Sequence, residues 1–303
     1  MAVKAPTARR RASTPVVVDD EDLAAAFDVP ALAWWTARFG SARDLAAEMD
    51  EAVEHVRRPR RPQVIACLGG KGGAGKTTNA AGSGSVFAGV LRERAIVVDA
   101  NPDVSTLALR MPRRDDVRPL HAIPSAGQLL DDSDLRPFLV HNRLGLDAVL
   151  SRRRRDLDTD YETYRHVLST LSGNYRMILA DCGTSLASGA ARAVLERATQ
   201  FVLVTPAKVD GFYALLETID ELEAAGYGDV VANSVATING VVETSPVDID
   251  RFHATLVKRC RGVYRIPFDQ HLDAGAVLDF AALQPETKVA YTRLAAAVSA
   301  RFR

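Results

Sequence analysis

The amino-acid sequence predicts an α/β chain built on a mostly parallel, doubly wound sheet. Three observations predict it. From Gln63 onward, short continuous apolar runs alternate with amphipathic helical patterns, as in a parallel sheet covered on both faces. A glycine-rich loop, Gly70-Lys71-Gly72-Gly73-Ala74-Gly75-Lys76-Thr77-Thr78, lies between the first apolar run and the first helical pattern. Asp99, Asp181 and Asn239 each fall at the carboxyl end of an apolar run, where ligands bind in such sheets.

The elements follow in order. Residues 64–68 form a buried strand, and the helix after the glycine loop runs to about residue 91. A second strand at 95–98 ends at Asp99, residues 144–150 alternate as a third, and 176–180 lead into Asp181. Residues 201–205 form another strand, followed by a helix with Phe212, Leu215, Ile219 and Leu222 on one face and Gly226 beyond its end. A strand over 230–238 ends at Asn239. Ser245-Pro246-Val247-Asp248 has a capping-box form with proline at the first helical position, ahead of Ile249, Phe252 and Leu256. A last strand covers 262–266, and Tyr291, Leu294, Val298 and Phe302 line the terminal helix.

The chain has 303 residues, enough for one catalytic α/β domain and a short appendage. Residues 1–60 read as that appendage, an N-terminal extension, and 61–303 as the main domain. The first 18 residues have few large apolar groups and read as disordered. Short helical patterns follow, with Leu32, Trp35 and Phe39 at helix spacing and then Leu45, Met49 and Val53. Arg57-Arg58-Pro59-Arg60-Arg61-Pro62 reads as a solvated linker. A hydrophobic fraction of 47% and a charged fraction of 25% are ordinary for a globular protein. Formal net charge is zero, so no broad field draws the molecule onto DNA or an anionic membrane. Cys67, Cys182 and Cys260 match no zinc or haem spacing and, being odd in number, make a poor disulfide framework. Reduced thiols, the absence of a membrane-length apolar run and an N-terminus without a signal-peptide core lead to the expectation of a cytoplasmic protein.

Gly70-x-x-x-x-Gly75-Lys76-Thr77 fits the P-loop pattern in full, in the required place between strand and helix. Its glycines let successive N–H groups of Gly70, Gly72, Gly73, Ala74, Gly75, Lys76, Thr77 and Thr78 curl toward phosphate oxygens. The pattern therefore predicts ATP and Mg²⁺ as ligands. Lys76 would reach the β- and γ-phosphates, and the Thr77 hydroxyl would ligate the metal. Asp181 has the position of a Walker B aspartate that holds the metal through water, and Asp99 is the second candidate carboxylate. The alternative for either aspartate is a helix N-cap.

Lys71-Gly72-Gly73-x-Gly75-Lys76-Thr77-Thr78 resembles the deviant Walker A motif of the MinD/ParA family, SIMIBI-type P-loop NTPases. The resemblance runs through most of residues 63–303. It implies that Lys71 acts in trans, reaching the partner's phosphates in an ATP-sandwiched homodimer. Val98-Asp99-Ala100-Asn101-Pro102 is similar to the family's switch I, and Ile178-Leu179-Ala180-Asp181-Cys182-Gly183-Thr184 to its Walker B and switch II. Ile266-Pro267-Phe268-Asp269 is similar to a segment whose backbone lines the adenine, which implicates Pro267 and Asp269, and Asn239 holds the place of a base-contacting residue. Within the family, the chain is similar to the actinobacterial MinD-like ATPases associated with type VII (ESX) secretion. Asp99-Ala100-Asn101-Pro102-Asp103, Val209-Asp210-Gly211, Ala225-Gly226-Tyr227 and Pro267-Phe268-Asp269-Gln270-His271-Leu272 carry that likeness.

One position departs from the family. Where members carry a second switch I aspartate that positions the attacking water, this chain has Asn101. An amide can hold a water but cannot take its proton, so slow hydrolysis is expected, with Asp103 as a nearby substitute. The expected function is an ATP-dependent dimerising switch that serves type VII secretion or positions a cargo and has a protein partner. Two alternatives stay open: a DNA-binding partition ATPase, for which Arg152-Arg153-Arg154-Arg155 would be the patch, and a nucleotide-binding scaffold with little turnover. A cluster-binding or ligating metabolic enzyme lacks its motifs. Of Trp34 and Trp35, adjacent on a short helix, one is free to meet a partner if the other docks on the domain.

Overall fold

A computed structural model describes residues 18–28, 44–101, 106–127, 129, 131–151 and 161–302. The expectations placed on residues 1–17, on Leu32, Trp34, Trp35 and Phe39, on Pro102 and Asp103, and on Arg152 to Arg155 lie outside the described residues.

Eight strands make one sheet in the order β3-β4-β2-β5-β1-β6-β7-β8. They are β1 (Gln63–Leu68), β2 (Ala95–Ala100), β3 (Leu139–His141), β4 (Leu146–Val149), β5 (Met177–Cys182), β6 (Gln200–Pro206), β7 (Val235–Val241) and β8 (Gly262–Pro267). All neighbours pair parallel except β3 with β4. Strand alternation splits the apolar residues into two cores. Val64, Ala66, Leu68, Ile96, Val98, Ile178 and Ala180 face one core, while Ile65, Cys67, Ala95, Val97, Met177 and Leu179 face the other. The continuous apolar runs of β1, β2 and β5 are thus required, because both faces of the sheet are covered.

Eight helices matter to the site and its support: α1 (Asp20–Phe27), α2 (Leu45–Glu54), α3 (Lys76–Leu91), α4 (Tyr161–Asn174), α5 (Gly189–Leu195), α6 (Val209–Leu222), α7 (Ile249–Leu256) and α8 (Pro285–Ser299). Helices α4, α5, α6 and α7 cover the first core, with Phe212 and Phe252 stacked at 3.9 Å between centroids. Helices α3 and α8 fill the second, where Phe87 and Val86 meet Tyr291, Leu294 and Val298. Phe302, expected on the terminal helix, follows it and packs on Phe87 at 5.7 Å. By alternation, Asp99 and Asp181 point to the α3 side of the sheet, where the glycine loop leads.

Three elements differ from expectation. Residues Gly228–Ala232 are helical and β7 starts at Val235, where a strand over 230–238 was expected. The β-branched pair Val230-Val231 suits a strand, but Gly226 at φ 90° breaks the chain after α6 and the next turn buries Val231 as a helix. Helix α7 begins at Ile249 and is capped by Asp248, whose carboxylate accepts from the Arg251 N–H at 2.9 Å; Ser245 and Pro246 stay outside it. The 144–150 strand is shorter, because Asn142 turns the chain between β3 and β4 by accepting from the Leu144 and Leu146 N–H groups. Strand β3, only three residues long, gives no periodic signal.

The N-terminal elements are packed on the main sheet's cover. Leu45 and Met49 of α2 form an apolar cluster with Val289 of α8, and Arg293 pairs with Glu48 at 3.0 Å. Buried Lys288 donates to the Ala25 carbonyl at the end of α1 at 2.9 Å. Arg57 N–H donates to Ser299 Oγ at 2.9 Å. We therefore expect one unfolding transition for the chain. Met49→Ala should lower its midpoint by roughly 4 °C or more, since truncating a buried methionine costs about 2 kcal/mol or more. Scanning calorimetry checks this; an early separate transition carrying the whole loss would mean that the extension folds apart from the domain.

Candidate functional site

The loop between β1 and α3 turns on two glycines. Gly70 lies so close to α6 that an added Cβ would stand 2.2 Å from the Ala214 carbonyl oxygen. Gly75, the residue before α3, has φ 99°, and its Cβ would strike the Asn239 amide at 2.2 Å. Because Gly75 offers no side-chain cap, the first N–H groups of α3 are left for another acceptor.

Lys76 folds back over this turn. Its ammonium is buried and donates to the Lys71 carbonyl at 3.0 Å and the Gly69 carbonyl at 3.3 Å. Burial lowers its pKa, with Asp181 opposing the shift. Among the described residues it makes no ion pair, so a buried cation faces the cleft without a bonded counter-charge. Thr77 donates its hydroxyl to Asp181 Oδ2 at 2.7 Å and lies 2.6 Å from the Thr106 hydroxyl oxygen. Asp181, at the end of β5, is fully enclosed, and burial pushes its carboxyl up to about 7; the Thr77 bond and Lys76 pull it down, and the Asp99 charge adds to the rise.

The cleft above this turn holds about 690 Å³, the scale of a small-molecule site. Of the expected residues, Gly72, Gly73, Ala74, Gly75, Lys76, Thr77, Thr78, Asn101, Asp181, Asn239, Pro267 and Asp269 line it. Gly70, Lys71 and Asp99 do not. Gly70 is under α6, as its contact with Ala214 dictates. Lys71 is ion-paired with Asp210 at the start of α6 in the same chain, where a role in trans was expected. Asp99 is fully buried in register with Asp181. Its Oδ2 accepts from both the N–H and the hydroxyl of Ser151, at 3.0 and 2.5 Å, and its Oδ1 lies 3.4 Å from the Asn101 nitrogen. Asp99 is thus bonded to Ser151, two residues past β4, and bears on the cleft through its charge on Asp181 and its hold on Asn101.

Two further lining residues also have defined partners. Asn239 donates its amide to the Ala74 carbonyl at 2.8 Å and leaves a buried Oδ1 without a partner in the cleft. Asp269 uses both carboxylate oxygens on backbone N–H groups, those of His271 and Gln284, each at 2.8 Å. It braces the wall on which Pro267 and Phe268 stand. Sequence reasoning left out Thr106, Arg110, Lys208, Gly240, Leu272 and Asp273, which also line the cleft. Thr106 precedes and Arg110 ends the one-turn helix Leu107–Arg110, too short for a periodic signal. Tyr291, expected in the terminal helix only, forms part of the cleft floor as well.

The donor set suits a magnesium-bound nucleoside triphosphate. It offers uncapped helix N–H groups, a buried unpaired ammonium, a hydroxyl and carboxylate side by side, and an orphaned amide oxygen on the far wall. Thr77 and Asp181 are the residues that would hold the metal. Fold and loop together are those of the MinD/ParA P-loop NTPases. The solved structure of a ParA family ATPase from Chlorobium tepidum TLS superposes with a TM-score of 0.61 at 20% identity, covering 79% of this chain and 98% of that one. The septum site-determining protein MinD of Pyrococcus horikoshii OT3, complexed with Mg-ADP, superposes at 0.60 with 19% identity over 77% of this chain and 94% of that one. In sequence the chain is similar to the ESX-1 secretion-associated protein EspI of Mycobacterium tuberculosis, 30% identical over 272 residues, or 87% of this chain. It spans 40% of the length of EspI. No protein-family model matches the chain.

The buried Asp181 has a consequence for stability. Its carboxyl rises from an ordinary 3.8 to about 7 on folding, so its contribution to stability is full below the unfolded value and is lost as pH rises through about 7. In the nucleotide-free protein, Asp181→Asn, which keeps an acceptor for Thr77 and removes the charge, should raise the melting midpoint at about pH 8 by roughly 2–4 °C relative to its effect at about pH 5. Melting curves across that range check it; parallel pH profiles for variant and wild type would place the charge elsewhere.

Proposed function

We propose that this chain is an ATP-dependent switch that binds Mg-ATP, closes a homodimer and hydrolyses ATP slowly. One observation carries the reading: the buried ammonium of Lys76 lies beside the open N-terminus of α3, next to the paired Thr77 and Asp181, and makes no ion pair among the described residues. A triphosphate with its metal satisfies all of these groups at once. The Mg-ADP complex of Pyrococcus MinD supports the same ligand class. In this reading Lys76 stabilises the β- and γ-phosphates, Thr77 and Asp181 hold the metal, and Asn239 with the wall of Pro267, Phe268 and Asp269 takes the base. Lys71 leaves Asp210 to reach the partner's phosphates, exchanging one exposed ion pair, worth little by itself, for a charge-assisted contact across the dimer.

The likeness to EspI supports a role in type VII secretion, with a protein of that machinery as the partner. No helix among the described residues is long and apolar enough to cross a membrane, and recruitment to a membrane face through the partner fits the cytoplasmic location proposed here. A second reading, a nucleotide-binding scaffold with little turnover, is favoured by one feature: among the described residues, the side chain that follows β2 into the cleft is the amide of Asn101.

Lys76→Ala should abolish ATP binding by calorimetry, and unchanged affinity would remove the phosphate-loop assignment. In the same preparations ATP, and not ADP, should drive dimerisation by sedimentation. Lys71→Ala should keep nucleotide binding and weaken the dimer, and normal ATP-driven dimerisation of that variant would refute the sandwich.

Hydrolysis is governed by Asn101. A group in line with the γ-phosphate orients the attacking water and, if charged, accepts its proton. Asn101→Asp should accelerate single-turnover hydrolysis at saturating ATP by about tenfold or more, since general-base assistance is typically worth 10²–10⁴. If Asn101→Asp is no faster while Asp103→Ala abolishes turnover, Asp103 holds the water and Asn101 is not the deficient position.

A further inference from the structure

Arg110 stands where the two ends of the cleft are joined. It is the last residue of the one-turn helix Leu107–Arg110, and Thr106, just before that helix, lies 2.6 Å from the Thr77 hydroxyl at the metal end. At the other end, Arg110 Nη1 donates to the Leu272 carbonyl at 2.9 Å and lies 3.4 Å from the Ala276 carbonyl. The Arg110 carbonyl accepts from the Leu278 N–H at 2.9 Å. Leu272 belongs to the short helix Gln270–Asp273, which Asp269 caps directly after Pro267 and Phe268. Leu107 and Met111, on either side, are buried in the same core as Leu278, Phe280 and Leu283, so the helix is pinned. Arg110 therefore braces the base-side wall from the switch I side.

Its chemistry is not exhausted by that bracing. A guanidinium carries five N–H donors, and the two carbonyls engage only Nη1. Among the described residues Nε and Nη2 make no hydrogen bond, and Arg110 makes no salt bridge. The side chain is half-buried, burial lowers its pKa, and it lines the cleft together with Leu272, Asp273 and Tyr291. A planar cation with free donors on the wall of this cleft of about 690 Å³ can stack on a base or donate to its edge and ribose. Tyr291 and Leu272 supply the apolar side of the same space.

We propose that Arg110 contacts the adenosine half of the nucleotide and is a specificity-determining residue of the cleft, held in place by the loop that it braces. This rests on the nucleotide reading above. The experiment compares ATP, ADP and inorganic tripolyphosphate binding to wild type, Arg110→Ala, Arg110→Lys and Lys76→Ala by calorimetry. Arg110→Ala should weaken ATP and ADP together by about tenfold and leave tripolyphosphate unchanged, because only the adenosine contact is lost. Arg110→Lys, which keeps the charge and loses the planar fork, should not restore adenosine binding. A merely structural effect would lower ATP and tripolyphosphate affinity in parallel, and this result overturns the proposal. So does a tripolyphosphate loss that lysine rescues, which makes Arg110 a phosphate contact. Should Arg110→Ala fail to fold, Arg110→Gln, with an amide for Leu272 and no charge, takes its place under the same criteria. Lys76→Ala separates the two readings: it should lose tripolyphosphate and ATP alike. A wild type that binds neither ligand overturns the nucleotide reading together with this one.

Discussion

The structure is organised around a buried carboxylate. Asp181 ends the central strand β5, fully enclosed, and the Thr77 hydroxyl is the one group that donates to it at short range. Holding a charge there is unfavourable unless a cation comes close, and among the described residues the buried Lys76 and an open helix N-terminus supply it. Carboxylate, ammonium and uncapped amides are each poorly satisfied alone. They become mutually compatible when an anion carrying its own divalent cation enters. A ligand of that kind would therefore stabilise the folded chain by mass action.

The rest of the architecture keeps this arrangement rigid at one end and adjustable at the other. The strands under the loop are buried on both faces, and α3 is enclosed nearly from end to end, so Thr77 and Lys76 have no freedom to drift. Adjustable parts lie at the rim. Lys71 is held to Asp210 by an exposed ion pair, which exchanges easily. Strand β2 runs out into Asn101, whose approach is set by the buried Asp99 and through it by Ser151, just past the neighbouring β4. The wall of Pro267 and Phe268 is braced by Asp269 and by Arg110. Phe27 of α1 packs on Phe280 with ring centroids 5.5 Å apart, which ties α1 to the segment that follows this wall.

What the sequence by itself determined is the part of the protein in which chemistry and local geometry coincide. The glycine loop must curl, its lysine and threonine must follow at fixed spacing, and apolar runs on both sides leave only a parallel sheet. Asp181 and Asn239 were legible because a strand end is both a pattern and a place. The tertiary structure decided the rest, for reasons no local pattern contains. That Asp99 meets Ser151 depends on β4 lying beside β2, so that the chain just past it reaches the carboxylate. Whether Asp269 touches a ligand or caps a wall depends on the Gln284 N–H, which arrives from another turn of the chain. Val230 and Val231 became helix because Gly226 broke the chain before them, and Arg110 entered the cleft on a helix one turn long. For Asp99, Asp269 and Arg110 the deciding partner is distant in sequence, and a side chain with two possible partners takes the one that packing brings within hydrogen-bond reach.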